Sequence, residues 1–295
     1  MNSDEVLRQL AAGQAETRQM LMQLLGQAQV QTRLDQERFF RELLALPRYQ
    51  EPNRLNRHES KVFSQHGEDG IIAEIFRRIG ATDRRFVEVG VGNGLECNST
   101  YLLWRGWKGL WMDGDAHSLQ AAALEFRSAI NSGGLTIVHA IVSGQNIAEL
   151  FARYEIAHEL DFLSLDIDRN TWFLWKALAK WKPRAVCVEY NASIPPADEF
   201  CVTDDADGLW NGTLYFGASL KSYEILGKEL GYTLVGCETA GANAFFVRDD
   251  LVNDRFTAPF TSENHHEPPR YFLDRLSGHP PRFGEAVASR RVQRK

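Results

Sequence analysis

Acidic residues stand at the ends of four short apolar runs. Glu88 lies inside the run 86–89, Asp113 follows 109–112, Asp166 and Asp168 follow 162–165, and Glu189 follows 185–188. Runs this short, bounded by turn residues, read as buried strands of a parallel sheet. Ligands of such sheets sit outside the carboxyl ends of the strands, so these carboxylates share one ligand-facing edge. Carboxylates placed there can accept hydrogen bonds from sugar hydroxyls, take up a proton, or hold a hard cation.

The first of these strands, Phe86-Val87-Glu88-Val89, runs into Gly90, Gly92 and Gly94. A strand followed by a glycine-rich turn presents backbone N–H groups to a nucleotide-like ligand, and glycine lets the chain approach it closely. A pyrophosphate against this turn would be repelled by Glu88. Leu95 also stands where the dinucleotide fingerprint wants Gly or Ala. S-adenosylmethionine carries an ammonium and a sulfonium, and an acidic strand tip attracts both. The turn therefore reads as an S-adenosylmethionine site, with Glu88 near the methionine portion and Gly90, Gly92 and Gly94 against the cofactor. An ordinary strand-to-loop junction is the alternative.

The elements that must position these groups follow in order. Residues 1–46 are rich in Gln, Arg, Leu, Ala and Glu, with no proline before Pro47. Leu7, Leu10, Leu21, Leu24 and Ala28 keep heptad spacing, while Gln14, Thr17 and Gln31 take intervening seam positions. This helix is a weak coiled coil that assembles a homo-oligomer, a helix docked on a partner, or a solvated tail. Pro47 and Pro52 make 47–59 a linker. A domain over 60–272 opens with the polar turn Ser64-Gln65-His66-Gly67-Glu68-Asp69-Gly70 and an amphipathic helix. The strands above then alternate with helices, including one over 118–130. A third strand is expected over 135–142, and a hairpin over 232–236 and 244–247 closes the sheet. The tail 273–295 lacks structure signals and is expected to be flexible. The fold class is α/β, Rossmann-like: a mostly parallel seven-stranded sheet with a C-terminal antiparallel hairpin.

The 295 residues are 44% hydrophobic and 24% charged, with a formal net charge of -6. That balance argues against a nucleic-acid binder. Cys97, Cys187, Cys201 and Cys237 are scattered without a CxxC pair, which fits reduced thiols and offers no zinc site. Neither a signal peptide nor a membrane span is legible, so the expected location is cytoplasmic.

FVEVGVGNG resembles motif I of class I S-adenosylmethionine-dependent methyltransferases, and GLWMDGD resembles the acidic end of their second strand. With SQHGEDG, LSLDIDRN, VCVEYN, FGASL and GANAFFVR, the region 60–272 is similar to FkbM-type bacterial methyltransferases. His66 is a departure, since an aromatic is expected there. The resemblance implies methyl transfer to a sugar of a surface glycan or glycosylated metabolite, and an Asp113 that binds the ribose hydroxyls. Turn capping is the other role open to Asp113. Metal-dependent sugar methyltransferases and catechol O-methyltransferase are similar in placing acids and an amide at the fourth and fifth strand ends.

The remaining candidates follow from this frame. Asp166 faces the cofactor. Asp168, Glu189 and Asn191 form an all-oxygen site for Mg²⁺, or bind cofactor and substrate without metal. Asp168 faces the acceptor as metal ligand or base, with His66 and His265 as further catalytic candidates. Trp210, Tyr215 and Phe216 lie in a long irregular segment and can stack on a sugar face. The competing functions are N-methylation of an amino sugar or small amine, and a scaffold with a vestigial cofactor site.

Overall fold

The computed structural model describes residues 3–205, 208, 210–273 and 282–283. The chain divides into two compact units, Met1–Tyr49 and Gln50–Lys295. The first unit is helix α1 (Ser3–Leu44) followed by a 3-10 turn, Pro47–Tyr49. Leu10, Met20, Leu21, Leu24 and Leu25 are all more than half exposed along α1. No helix among the described residues is long and apolar enough to cross a membrane.

The second unit begins earlier than its composition implies. Leu55, Asn56 and Glu59 are buried. Asn56 Nδ2 donates to the Cys237 carbonyl at 2.9 Å, and Glu59 Oε1 accepts from Thr239 N–H at 2.9 Å. Residues 50–59, expected as linker, are therefore docked on the sheet. A 3-10 turn (Leu55–His58) leads to α2 (Glu68–Ile79), and then come β1 (Arg85–Val89), α3 (Thr100–Trp104) and β2 (Lys108–Asp113). Next are α4 (Ala116–Glu125), α5 (Arg127–Asn131), β3 (Leu135–His139), α6 (Ile147–Arg153), β4 (Phe162–Leu165), α7 (Thr171–Ala177) and β5 (Ala185–Glu189). The chain closes with α8 (Leu220–Leu230), β6 (Tyr232–Cys237), β7 (Asn243–Arg248), α9 (Asp249–Val252) and α10 (Ser262–His265).

The seven strands order as β3-β2-β1-β4-β5-β7-β6. The first five run parallel, and β7 enters antiparallel between β5 and β6. The direction of strand order reverses between β1 and β4, and ligands of open sheets sit at that reversal. Alternation divides β1 between two cores. Phe86 packs with Trp111 and Phe162 on one face, while Val87 and Val89 pack with Leu163 and Val186 on the other.

Two expected elements are cut short. The expected 118–130 helix is interrupted at Phe126, whose ring is buried edge-on to Trp111 at 4.7 Å. Strand β3 stops at His139 because Asn146 turns the chain. Its amide donates to the Ile141 carbonyl at 2.9 Å and accepts from Ser143 N–H at 2.9 Å. Ile141 thus leaves the sheet and is exposed. Most of the expected flexible tail, 273–295, lies outside the described residues. Leu273 and Phe283 within it are buried, Phe283 with its ring 4.6 Å from that of Phe126.

Candidate active site

The three turn glycines have three different environments. At Gly90, φ is +85° and a Cβ would lie 1.5 Å from the Asp166 carbonyl oxygen, so β1 and β4 pass too close there for any side chain. At Gly92, φ is +51° and a Cβ would meet nothing within 4 Å. A Cβ on Gly94 would meet the Trp111 ring at 2.6 Å and that of Phe126 at 2.8 Å. Gly94, expected against a cofactor, is instead an aromatic-packing glycine.

The nearby acids hold these turns in place. Asp113 Oδ2 accepts from Val91 N–H at 2.8 Å and Gly92 N–H at 2.7 Å, and Oδ1 accepts from Asp115 N–H at 2.7 Å. Glu88 is buried between β1 and α3. Its oxygens accept from Asn98 N–H at 2.9 Å, Ser99 N–H at 2.8 Å and the Ser99 hydroxyl. It therefore caps the otherwise orphaned donors at the start of α3. Burial, outweighing these donors, raises its carboxyl to about 7. Asp69 likewise gathers the N–H groups of Val62, Phe63 and Ser64, and burial raises it to about 6.

These shifts have a signed consequence. A carboxyl raised in the folded state holds a proton that the unfolded chain has already lost. The stability it contributes is full below the unfolded range near pH 4 and is lost as pH rises through about 6 to 7. Between pH 5 and pH 8 the melting temperature is expected to fall, and Glu88→Gln is expected to flatten that slope. A slope unchanged in the variant removes Glu88 from this role.

Two cavities flank the glycine turn and share Gly90, Gly92 and Asp166. The smaller, about 380 Å³, takes in Gln65, Glu68, Glu88, Glu96, Asn98 and Asn243. The larger, about 860 Å³, takes in Asp113, Asp115, Ile141, Val142, Asp168 and Asn170. Asp115 also caps α4, accepting from His117 N–H at 2.9 Å.

Across the strand-order reversal, single oxygens of Asp166, Asp168 and Glu189 all lie within 4.8 Å of one another. Asp168 holds a left-handed backbone, φ +55°, which is uncommon for a residue with a side chain. Burial first, then the Asp168 charge, raises Asp166 to about 6. Burial and the charges of Asp166 and Asp168 push Glu189 well above the carboxylate range, and its buried Oε2 has no donor on it. Oxygens crowded this way are held together by a proton or a cation.

Asn191, expected as an oxygen donor beside this cluster, commits its Nδ2 to the segment after β5. Its amide donates to the Leu214 carbonyl at 2.8 Å and the Phe216 carbonyl at 3.0 Å, which ties down the segment after β5. His66 is buried before α2 and lines neither cavity. His265 is buried in α10 with its ring parallel to Phe260, 6.5 Å between centroids, and also lines neither cavity. The structure thus gathers Asp166, Asp168 and Glu189 and leaves His66 and His265 outside both cavities. Sequence reasoning missed Gln65, Glu68, Glu96, Asn243 and Ile141 as lining residues. Ile141 reads in the sequence as part of an apolar run to Val142, and only the end of β3 at His139 frees it to line the larger cavity.

No family model and no curated protein matches the chain. Among solved structures, it is similar to the N-terminal domain of EvdMO1 with SAH bound, at 15% identity and TM-score 0.39, over 61% of this chain and 79% of that one. It is similar to the O-methyltransferase from Bacillus cereus in complex with SAH, at 13% identity and TM-score 0.42, over 73% and 89%. A third is the S-adenosylmethionine-dependent methyltransferase from Clostridium acetobutylicum, at 12% identity and TM-score 0.38, over 60% and 89%. Likeness at this level leaves function to be argued from the site.

Proposed function

We propose that this chain is an S-adenosylmethionine-dependent methyltransferase that O-methylates a sugar or similar hydroxyl-bearing small molecule. One observation carries the reading. Among the described residues lining the two cavities there are acidic side chains from three strand ends and no lysine, arginine or histidine. A pyrophosphate finds no countercharge there, whereas a sulfonium and an ammonium do. In this reading the larger cavity takes the adenosine, with Asp113 at the ribose and Ile141 and Val142 along the base. The smaller takes the methionine end beside Glu68, Glu88 and Asn243.

Methyl transfer then needs mainly alignment. The acceptor oxygen attacks the methyl carbon in line with sulfur. The C–O bond forms as the C–S bond breaks, and sulfur keeps the electron pair. The hydroxyl proton passes to Asp168. Asp166, Asp168 and Glu189 fit a hard cation such as Mg²⁺, because all three supply oxygen donors and Glu189 Oε2 has a free lone pair. Bound there, such an ion would lower the acceptor hydroxyl's pKa and orient its oxygen.

Calorimetry tests the cofactor. S-adenosylmethionine is expected to bind and NAD is not; the reverse result overturns the reading. Asp113→Ala is expected to weaken S-adenosylmethionine at least about tenfold, the scale of one charge-assisted hydrogen bond. Activity that survives EDTA undiminished removes the cation.

A further inference from the structure

We propose that the amino-terminal end of the sheet, opposite the glycine turn, carries a second ligand site, which takes a small monocarboxylate with an apolar body. The site is a cavity of about 240 Å³ between the starts of β1, β2 and β3 and the loop after α6. It has no lining residue in common with the two cavities at the glycine turn, and it stands independently of the methyl-transfer reading.

Strand register builds the cavity. Val87 pairs with Leu110 and Leu110 with Thr136, so these three side chains leave the same face of the sheet. Val87 and Leu110 belong to the core on that face and, with Leu160, give the cavity an apolar floor. Two residues earlier on each strand Arg85 pairs with Lys108, which sets two cations side by side at the rim on that same face. An apolar floor with a few polar groups at its edge is the usual make-up of a small-molecule site. The room exceeds the roughly 150 Å³ that encloses a benzene ring, so a phenyl group or a six-carbon chain fits.

Charge selects the ligand. The cavities at the glycine turn are lined by acids without a cation, and this one reverses the pattern. Arg85 lies 3.2 Å from an Asp83 oxygen, and Arg153 sits over the ring of Tyr154, a lining residue, at 6.0 Å. Lys108 is exposed and has no ion pair among the described residues. Against these three cations stand Asp83 and Glu155, which leaves one positive charge to balance. A monocarboxylate balances it, whereas a phosphate dianion exceeds it and leaves the apolar floor uncovered.

The rim is also built from unfavourable backbone. Arg84, whose carbonyl accepts from Lys108 N–H at 3.0 Å, has φ +57°, and Glu155 in the covering loop has φ +52°. Two of the four non-glycine residues with positive φ among the described residues therefore flank this one cavity. Side chains disfavour that region, and residues kept in it gather at ligand clamps.

The test titrates the full chain with phenylacetate and hexanoate, and with 2-phenylethanol and inorganic phosphate as comparisons, by calorimetry. At least one carboxylate is expected to bind with a Kd at or below about 1 mM, which asks an ordinary yield from each of its atoms. It is expected to bind at least about tenfold tighter than the alcohol or phosphate, the scale of one charge-assisted hydrogen bond. Lys108→Ala is expected to weaken it at least about tenfold, and Thr136→Phe to abolish it by filling the cavity from the edge strand. Both variants change exposed side chains and are expected to melt as the wild type does. No binding of either carboxylate, equal binding of the alcohol or of phosphate, or a carboxylate affinity unchanged in both variants overturns the inference.

Discussion

Gly90→Ala is expected to leave little folded protein, while Gly92→Ala, two residues on, folds and loses its cofactor. At Gly90 the added methyl meets the Asp166 carbonyl oxygen at 1.5 Å and its carbon at 2.6 Å. Both are backbone atoms of the chain leaving β4. Val89 pairs directly with Leu165 in the sheet, so relief means prising β1 from β4 in the buried core. Left-handed strain at φ +85° adds to the clash. The sum is at least about 4 kcal/mol, a large part of the roughly 5–15 kcal/mol that holds a domain folded. At Gly92 the space is open, so the penalty is the left-handed backbone alone, about 1–2 kcal/mol. The methyl there points into the room the two cavities share. Thermal unfolding followed by calorimetry separates the two. A cooperative, wild-type melt for Gly90→Ala contradicts the close crossing. Undiminished S-adenosylmethionine affinity in Gly92→Ala removes the turn from the cofactor.

The contrast shows what the sequence can and cannot say. Apolar runs ending in acids located β1, β2, β4 and β5 because burial on both faces of a parallel strand leaves a compositional trace. The glycine turn was legible for the same local reason. What each glycine does was not: three glycines at alternate positions look alike, yet one clears a backbone, one clears a cavity and one clears Trp111 and Phe126. Those reasons come from residues far away in sequence. The acids behave similarly. Glu88 lines the smaller cavity and also caps the N–H groups at the start of α3, and the Asn191 amide latches the carbonyls of residues 214 and 216. The docking of residues 50–59 was hidden too. Pro47 and Pro52 forbid a helix, and a helix-free stretch looks like a linker until Asn56 and Glu59 find partners on β6 and the turn after it.

Glu189→Gln is expected to lower turnover at least about tenfold, by removing one oxygen of the cluster that would hold a cation beside Asp168, and at the same time to raise the melting temperature in metal-free buffer. The two effects share a cause. Glu189 is buried against the charges of Asp166 and Asp168, and its carboxyl is pushed well above the ordinary range. Through the interval where the unfolded chain has already lost that proton, the folded chain keeps it. The stability this group contributes is therefore full at low pH and declines as pH rises. Glutamine keeps the shape and has no proton to lose, so the gap in melting temperature between variant and wild type should widen from pH 5 to pH 8. Asp168→Asn should lower turnover similarly, and its smaller burial should give a weaker gain in stability. A group kept for structure would lose stability when replaced, as Asp113 should, since three backbone N–H groups depend on it. If Glu189→Gln melts lower than wild type at pH 8, the crowding of its charge is already relieved by a contact within the fold, and the site has no reason to hold a proton or a cation.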